Sequence, residues 1–182
     1  MRELVLTKWS LEMLAPEDLR AASAARQTAD IRRAEIPSPE LSRFLYTAVG
    51  GPWYWLDRLA WTYADWERYL DRPEVETWVA YVRGTPAGYF ELEQQEDGAT
   101  VEIAQFGLLS RFIGHGLGGH LLTVAVQRAW AMGPRRIWVH TFSLDGPHAL
   151  SNYEARGFRI FDKFTGAASV PDQPPGPWPG AY

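Results

Sequence analysis

Four glycines lie close together after an apolar segment and before an amphipathic helical pattern, in the stretch Phe106–Leu122. They are Gly114, Gly116, Gly118 and Gly119. A turn almost without side chains lets backbone N–H groups close on an anion. A helix that begins near Gly118 adds free N–H donors and the positive end of its dipole. The spacing predicts a site for a phosphate-bearing ligand, with a plain strand-to-helix turn as the alternative.

The pattern Gly114-x-Gly116-x-x-Gly119 also matches the fingerprint of dinucleotide-binding folds, so a dinucleotide-dependent oxidoreductase is a rival interpretation. Such folds place the motif after their first strand and continue with βα repeats. Here more than half of the chain precedes the motif and is predicted to form mainly neighbouring strands and short helices. Asp145 follows the next strand, at a distance from the glycines that the acidic residue of such a fold could have. The glycine pattern alone therefore does not exclude a dinucleotide fold, and a second motif is needed to choose between the two interpretations.

The composition of the chain limits the classes of protein and the kinds of site that it can form. The 182 residues are 46% hydrophobic and 22% charged, which is typical of a globular chain. A net charge of −4 disfavours nucleic acid as a partner, and the absence of cysteine excludes disulfides, thiolate metal sites and cysteine nucleophiles. The four histidines match no common zinc spacing, so we expect no metal. The N-terminal segment lacks the apolar run of a signal peptide or membrane helix, and we expect a cytoplasmic protein without a membrane partner.

Capping and turn signals divide the chain into elements. The predicted helices are 39–49, capped by Ser38, 63–70, capped by Thr62, 118–132 and 147–156. The predicted strands are 3–9, 11–14, 30–36, 75–83, 87–93, 100–108, 135–141 and 158–164. The strand 135–141 follows a helix and is therefore expected to lie parallel to 100–108. This order predicts one α+β domain over residues 1–182, with a mostly antiparallel sheet, one central parallel pair and a Pro-rich tail from about residue 166.

A second motif, Asn152-Tyr153-x-x-x-Gly157-Phe158, follows the second strand of the parallel pair. Together with Gly116-Leu117-Gly118 it resembles the GNAT superfamily of acyl-CoA-dependent N-acyltransferases. The resemblance covers residues 75–164 well. Residues 1–74 resemble a narrower, uncharacterised bacterial subgroup through LSRFLYTAVGGPWYWLDRLAW. One departure is that the family's Gln/Arg position falls on Ile113, unless Arg111 takes it in a shifted register.

The resemblance implies a GNAT-like fold and an N-acetyltransferase that moves an acetyl group from acetyl-CoA to a primary amine by direct attack in a ternary complex. The acceptor would be a small-molecule or peptide amine, and a homodimer is left open. A non-catalytic acyl-CoA-binding or sensor domain is the alternative. The residues implied to bind acetyl-CoA are Phe106, Gly107, Leu108, Ile113, Gly114, His115, Gly116, Leu117, Gly118, Gly119 and Asn152.

Acyl transfer to an amine needs a neutral amine, a donor at the carbonyl oxygen and a proton for the departing thiolate. The resemblance implies Tyr153 as the acid and a backbone N–H near Leu108 as the donor; a core tyrosine is the alternative for Tyr153. Glu102 lies among apolar residues in a central strand, where it could take the amine proton through water or pair with an arginine. His140 and Asp145 are the other candidate bases.

Aromatic residues crowd the segment after Gly50-Gly51-Pro52. We expect Trp53, Tyr54 and Trp55 to wall or cover an acceptor pocket, because aromatic faces attract cations and bury apolar groups. Trp61 and Trp66 are instead expected to pack the first helices on the sheet.

Overall fold

A computed structural model describes residues 1–23 and 28–176, which form a seven-stranded mixed sheet with helices on both faces. The strands are β1 (Arg2–Met13), β2 (Asp30–Arg33), β3 (Val75–Val82), β4 (Thr85–Gln94), β5 (Thr100–Leu108), β6 (Arg136–Phe142) and β7 (Arg159–Val170). The helices are α1 (Pro39–Gly50), α2 (Tyr63–Leu70), α3 (Leu117–Ala131) and α4 (Ala149–Ala155). This architecture confirms the predicted α+β class. None of the helices in the described ranges is long and apolar enough to cross a membrane.

The local signals in the sequence form the expected caps. Ser38 Oγ accepts the N–H of Leu41 at 3.2 Å and begins α1, with proline at the first helical position. Thr62 and Asp65 form a reciprocal capping box at the start of α2. Gly157 ends α4 with φ of +102°, and a Cβ there would collide with the carbonyl oxygen of Asp18.

The strand order is β2-β3-β4-β5-β6-β1-β7, and the β5–β6 pair is parallel. The predicted segments 3–9 and 11–14 are one strand, β1, which lies between β6 and β7 and pairs antiparallel with both. β7 continues to Val170 instead of ending at Phe164, because it stays paired with β1 as far as Arg2. The Pro-rich segment therefore follows β7 from Pro171 and does not begin at about residue 166.

Two apolar layers cover the sheet. On one side, the α3 face, the helix stripe of Leu121, Leu122 and Val126 packs on residues of β1, β4, β5 and β6. On the other side, the α1 face, Leu45 and Val49 pack on β3 and β4. Successive residues of a strand point to opposite faces, so each central strand contributes side chains to both layers.

The aromatic residues around α2 enclose a buried ion pair. Arg58 is 8% exposed and donates from Nη1 to Glu91 Oε1 at 2.8 Å. Its guanidinium lies over the rings of Trp61, Trp66 and Tyr69, at 4.7, 5.7 and 4.3 Å from their centroids. Trp61 and Trp66 thus pack the α2 region on the sheet, and Arg58 ties the aromatic segment to β4.

Candidate active site

The two parallel strands diverge after a short paired region. β5 and β6 are in register only from Thr100–Arg136 to Glu102–Trp138. Beyond that point β5 remains paired with β4 and β6 with β1, so the facing edges of the two central strands separate. Unpaired backbone donors and acceptors along such an edge need a partner, and an extended ligand with amide groups can supply one. The sequence predicted the parallel pair but gave no sign of this gap.

A cavity of about 1030 Å³ passes through the gap between β5 and β6. It is lined by the glycine turn, by residues 103–108 of β5, by Tyr153, which belongs to the layer on the α3 face, and by residues 53–57, of which Trp55 packs in the layer on the α1 face. The cavity therefore joins three regions that lie far apart in the sequence. Within the described ranges, no cluster of three or more His, Asp or Glu side chains is close enough to bind a metal ion.

The glycine turn presents backbone N–H groups to one end of this cavity. Gly114 and Gly116 have φ of +86° and +79°, and Gly116 is the N-cap of α3. Their N–H groups find no hydrogen-bond partner among residues 1–23 and 28–176, and those of the first turn of α3 lack intrahelical acceptors. A Cβ at either glycine would meet no atom within 4 Å, so backbone conformation and not space requires glycine.

Other predicted residues of the turn lie in different positions. Gly118, Gly119 and Ile113 line the cavity. His115 is exposed and Leu117 is buried in the core, so their contribution to the cavity end is limited to the backbone. Of the two candidates for the family's Gln/Arg position, Ile113 lines the cavity and Arg111 does not.

Tyr153 lies at the middle of the cavity, where the strands separate. The residue is 5% exposed, and its ring makes edge contacts with Phe106 and Phe158, each at 6.0 Å between centroids. No hydrogen-bond partner for its hydroxyl occurs in the described part of the chain, although the residue lines the cavity. Burial, with a further contribution from the Asp145 carboxylate, raises the pKa of Tyr153 well above its usual value, so the phenol remains protonated.

Asn152, one residue earlier, reaches from α4 to the start of α3. Its Nδ2 lies 3.5 Å from the carbonyl oxygen of Gly118, and the side chain lines the cavity between the two helices. The remaining hydrogen-bonding capacity of the amide is open to a ligand in the gap.

Glu102 lies behind the cavity wall, in contact with His140. Its side chain is 14% exposed, and Oε1 lies 3.3 Å from Nδ1 of His140 across the parallel pair. His140 lines the cavity, whereas Glu102 does not. Nδ1 is buried and makes no hydrogen bond within the described residues, so its contact with Glu102 is one of charge alone. The structure thus brings together two of the candidate bases and gives only His140 access to a ligand.

Asp145, the third candidate base, is occupied by structural hydrogen bonds. Its Oδ2 accepts the hydroxyl of Thr141 at 2.6 Å and the N–H of Phe142 at 2.8 Å. Its Oδ1 accepts Nε1 of Trp55 at 3.3 Å. The carboxylate therefore joins the turn after β6 to the aromatic segment.

Trp53, Tyr54 and Trp55 all line the cavity. Besides its bond to Asp145, Trp55 stacks directly above Gly50, where any Cβ would collide with the indole. Tyr54 OH accepts from Arg2 Nη2 at 2.9 Å, which ties the segment to β1. The aromatic segment is therefore a fixed wall, held by contacts to β1 and to the turn after β6.

Sequence reasoning missed part of the cavity lining. Leu6, the end of β7 (residues 168–170) and the exposed Asp57 also line the cavity. No local pattern identifies the strand residues, because they reach the cavity only through the pairing of β1 between β6 and β7. Asp57 could have been found as the first carboxylate after the aromatic run.

The sequence model of the acetyltransferase (GNAT) family matches residues 36–158. This region contains the glycine turn, the diverging strands and Tyr153, and the proteins it defines are acetyltransferases. The chain belongs to the GNAT family, whose members generally use acetyl-CoA. Family membership replaces the dinucleotide interpretation of the glycine pattern. No curated protein matches the chain by sequence.

Solved structures share the fold at low sequence identity. A GCN5-related N-acetyltransferase from Kribbella flavida is 19% identical with a TM-score of 0.61, over 91% of this chain and 58% of that one. Another GCN5-related N-acetyltransferase, from Sphaerobacter thermophilus, is 15% identical with a TM-score of 0.63, over 88% of this chain and 50% of that one. This chain thus spans between half and three fifths of the length of those two proteins. An aminoglycoside acetyltransferase from an uncultured soil sample is 15% identical with a TM-score of 0.58, over 70% of this chain and 86% of that one.

Proposed function

We propose that the chain moves an acetyl group from acetyl-CoA to a primary amine by direct attack in a ternary complex. The observation that carries this proposal is the continuous cavity through the gap between β5 and β6. It reaches from the free N–H groups of the glycine turn, past the Tyr153 hydroxyl, to the aromatic wall. Two reactants that enter from opposite ends would meet beside Tyr153, and holding them together supplies much of the catalysis.

The glycine turn and β5 are assigned to acetyl-CoA. The N–H groups from Gly114 to Gly119 bind the pyrophosphate, and the free edge of Phe106–Leu108 pairs with the amides of the pantetheine arm. The N–H of Leu109 bonds to Ala87 on β4, so the N–H of Leu108 points away from β4 and into the gap. We assign that N–H to the thioester carbonyl oxygen, where it stabilises developing negative charge.

His140, Glu102 and Tyr153 are assigned to the proton transfers. An alkyl ammonium has a pKa of about 10 and must lose a proton before it attacks. We assign this first proton to Nε2 of His140, with the nearby Glu102 carboxylate balancing the charge of the ring, and His140 then passes the proton through water to solvent. As the amine nitrogen bonds to the carbonyl carbon, it gives its second proton to His140, the carbon–sulfur bond breaks, and Tyr153 gives its own proton to the thiolate. Water then carries the second proton from His140 to the Tyr153 phenolate.

A screen of primary amines with acetyl-CoA and the intact chain tests the proposed function. The measurement is free thiol over time, with calorimetric titration of acetyl-CoA and of NAD in parallel. We expect thiol release that depends on the amine. Acetyl-CoA binding without release for every amine would instead favour a binding or sensor domain, and binding of NAD in place of acetyl-CoA would favour an oxidoreductase.

The Glu102→Gln variant is expected to lose about tenfold in rate at neutral pH, since a residue that balances the charge of a base contributes less than the base itself. The loss should shrink as the pH rises toward the amine pKa of about 10, because free amine then accumulates without a base. The measurement is the pH–rate profile of kcat/KM for one accepted amine, compared with wild type.

Glu93→Gln is the matched control for this profile. Glu93 lies opposite Glu102 on β4 and faces the same side of the sheet, but it bonds to Tyr69 and Arg72 instead of His140. Its profile should follow wild type. Coinciding profiles for Glu102→Gln and wild type would remove Glu102 from the mechanism.

A further inference from the structure

The end of the cavity beyond Tyr153 forms an acceptor chamber with an apolar lining. We call the aromatic segment, residues 53–57, its roof, and the lining residues Leu6, Ala168 and Val170 of β1 and β7 its floor. Resting on the function proposed above, we infer that this chamber accepts a monoamine with a compact apolar body, such as an alkylamine or arylalkylamine. Polyamines and aminoglycosides are then poor acceptors.

The side walls add to the apolar character of the chamber. Phe142 and Leu144 line it beside β6, and Val49 lines it from α1. Apolar walls stabilise a ligand that buries hydrocarbon, at roughly 25 cal/mol per Å². Besides His140 and the two aspartates, Gln105 and Ser169 are the polar residues among this lining. They supply few partners for the many hydroxyls of a sugar or for additional amines, and a buried polar group without a partner is costly.

The carboxylates of the chamber can recognise one cation. Asp145 already accepts three hydrogen bonds from the protein. Asp57 lies at the exposed end of the roof, and its carboxylate has no ion pair or hydrogen bond within residues 1–23 and 28–176. A single free carboxylate at the mouth, beside aromatic rings, attracts one ammonium. A ligand with several ammonium groups would have to leave the others unpaired inside.

The chamber has a preformed shape that limits the size of the acceptor. Trp55 is fixed between Gly50 and Asp145, and Tyr54 is bonded to Arg2. The whole cavity of about 1030 Å³ must also hold the pantetheine arm and the acetyl group. The space that remains beside His140 fits a compact body better than a multi-ring sugar.

Two matched comparisons with the intact chain and acetyl-CoA test the inference: hexylamine against 1,6-diaminohexane, and 2-phenylethylamine against an aminoglycoside. We expect kcat/KM about tenfold or more higher for the first member of each pair, from the cost of burying unpaired polar groups. A preference for the diamine or the aminoglycoside would overturn the inference and leave the acetyltransferase function standing. Acetyl-CoA binding with no release for any amine would overturn both.

Two substitutions on β7 locate the selectivity in the chamber. Ala168→Phe fills the floor and should lower kcat/KM for hexylamine about tenfold without changing acetyl-CoA affinity. The control is Ala167→Phe, because Ala167 is exposed and its side chain points to the opposite face of the sheet. Equal rates for the two variants would contradict the assignment of the floor.

Asp57→Asn should raise the amine KM a few-fold and leave kcat unchanged, and an unchanged KM would remove Asp57 from recognition.

Discussion

Replacing Tyr153 with phenylalanine is expected to lower turnover about a hundredfold, the size of a typical contribution from a positioned proton donor. The hydroxyl lines the cavity where the strands separate and has no partner in the described part of the chain. A tyrosine hydroxyl is protonated at neutral pH, and burial raises its pKa further, so a proton is present when a thiolate departs beside it. The phenylalanine ring would keep the contacts with Phe106 and Phe158. The measurement is kcat for an accepted amine together with acetyl-CoA affinity, which should not change.

Tyr89→Phe is the matched control for this prediction. Tyr89 is also buried, at 1% exposure, but it packs on the α1 face and does not line the cavity. Both variants should fold, and only Tyr153→Phe should lose turnover. Undiminished kcat in Tyr153→Phe would leave this tyrosine as a packing residue and assign the acid role to another group.

Replacing Gly116 with valine is expected to weaken acetyl-CoA binding by about 1–3 kcal/mol, or about 5- to 150-fold. Gly116 has φ of +79°, a conformation that β-branched residues avoid, so the turn would rearrange its N–H groups. A side chain there would also project into the space where we place the pyrophosphate. Calorimetric titration of acetyl-CoA into wild type and variant measures the loss.

The control for strain alone is Gly84→Val. Gly84 has φ of +81° in the turn between β3 and β4, and a Cβ there also meets nothing within 4 Å. The two substitutions therefore impose similar backbone strain, but only one lies at the cavity. Equal acetyl-CoA affinities for both variants would contradict the assignment of the glycine turn to the pyrophosphate.

Helix ends and the glycine turn could be predicted from the sequence because their causes are local. Ser38-Pro39 and the Thr62–Asp65 pair satisfy N–H groups within one turn of their own helices. The glycine cluster predicted a turn before α3 for the same reason, and Gly114 and Gly116 do adopt positive φ there. The parallel pair followed from the helix that connects β5 to β6.

The position of β1 and the shape of the cavity depend on pairings between distant segments. Nothing within residues 2–13 shows that this strand lies between β6 and β7, and the chamber floor and the length of β7 follow from that position. The divergence of β5 and β6 is likewise a property of how the two strands are held by β4 and β1.

The relation between Glu102 and His140 also needed the structure. Each was identified as a candidate base from its residue type and strand. Their contact arises from the parallel register that sets Glu102 beside Trp138, two residues before His140. That register also decides which of the two faces the cavity. Similarly, Arg58 and Glu91 are ordinary charged residues in the sequence, and only the packing of α2 shows that they form a buried pair.

Direct passage of acetyl from acetyl-CoA to an amine in the gap between β5 and β6 can be followed in a single turnover. The experiment mixes the intact chain with labelled acetyl-CoA, with and without hexylamine, and follows the label on protein and amine. We expect label on the amine, none on the protein, and no loss of acetyl-CoA without amine. Label on the protein before amine is added, or no transfer to any amine despite bound acetyl-CoA, would contradict direct passage.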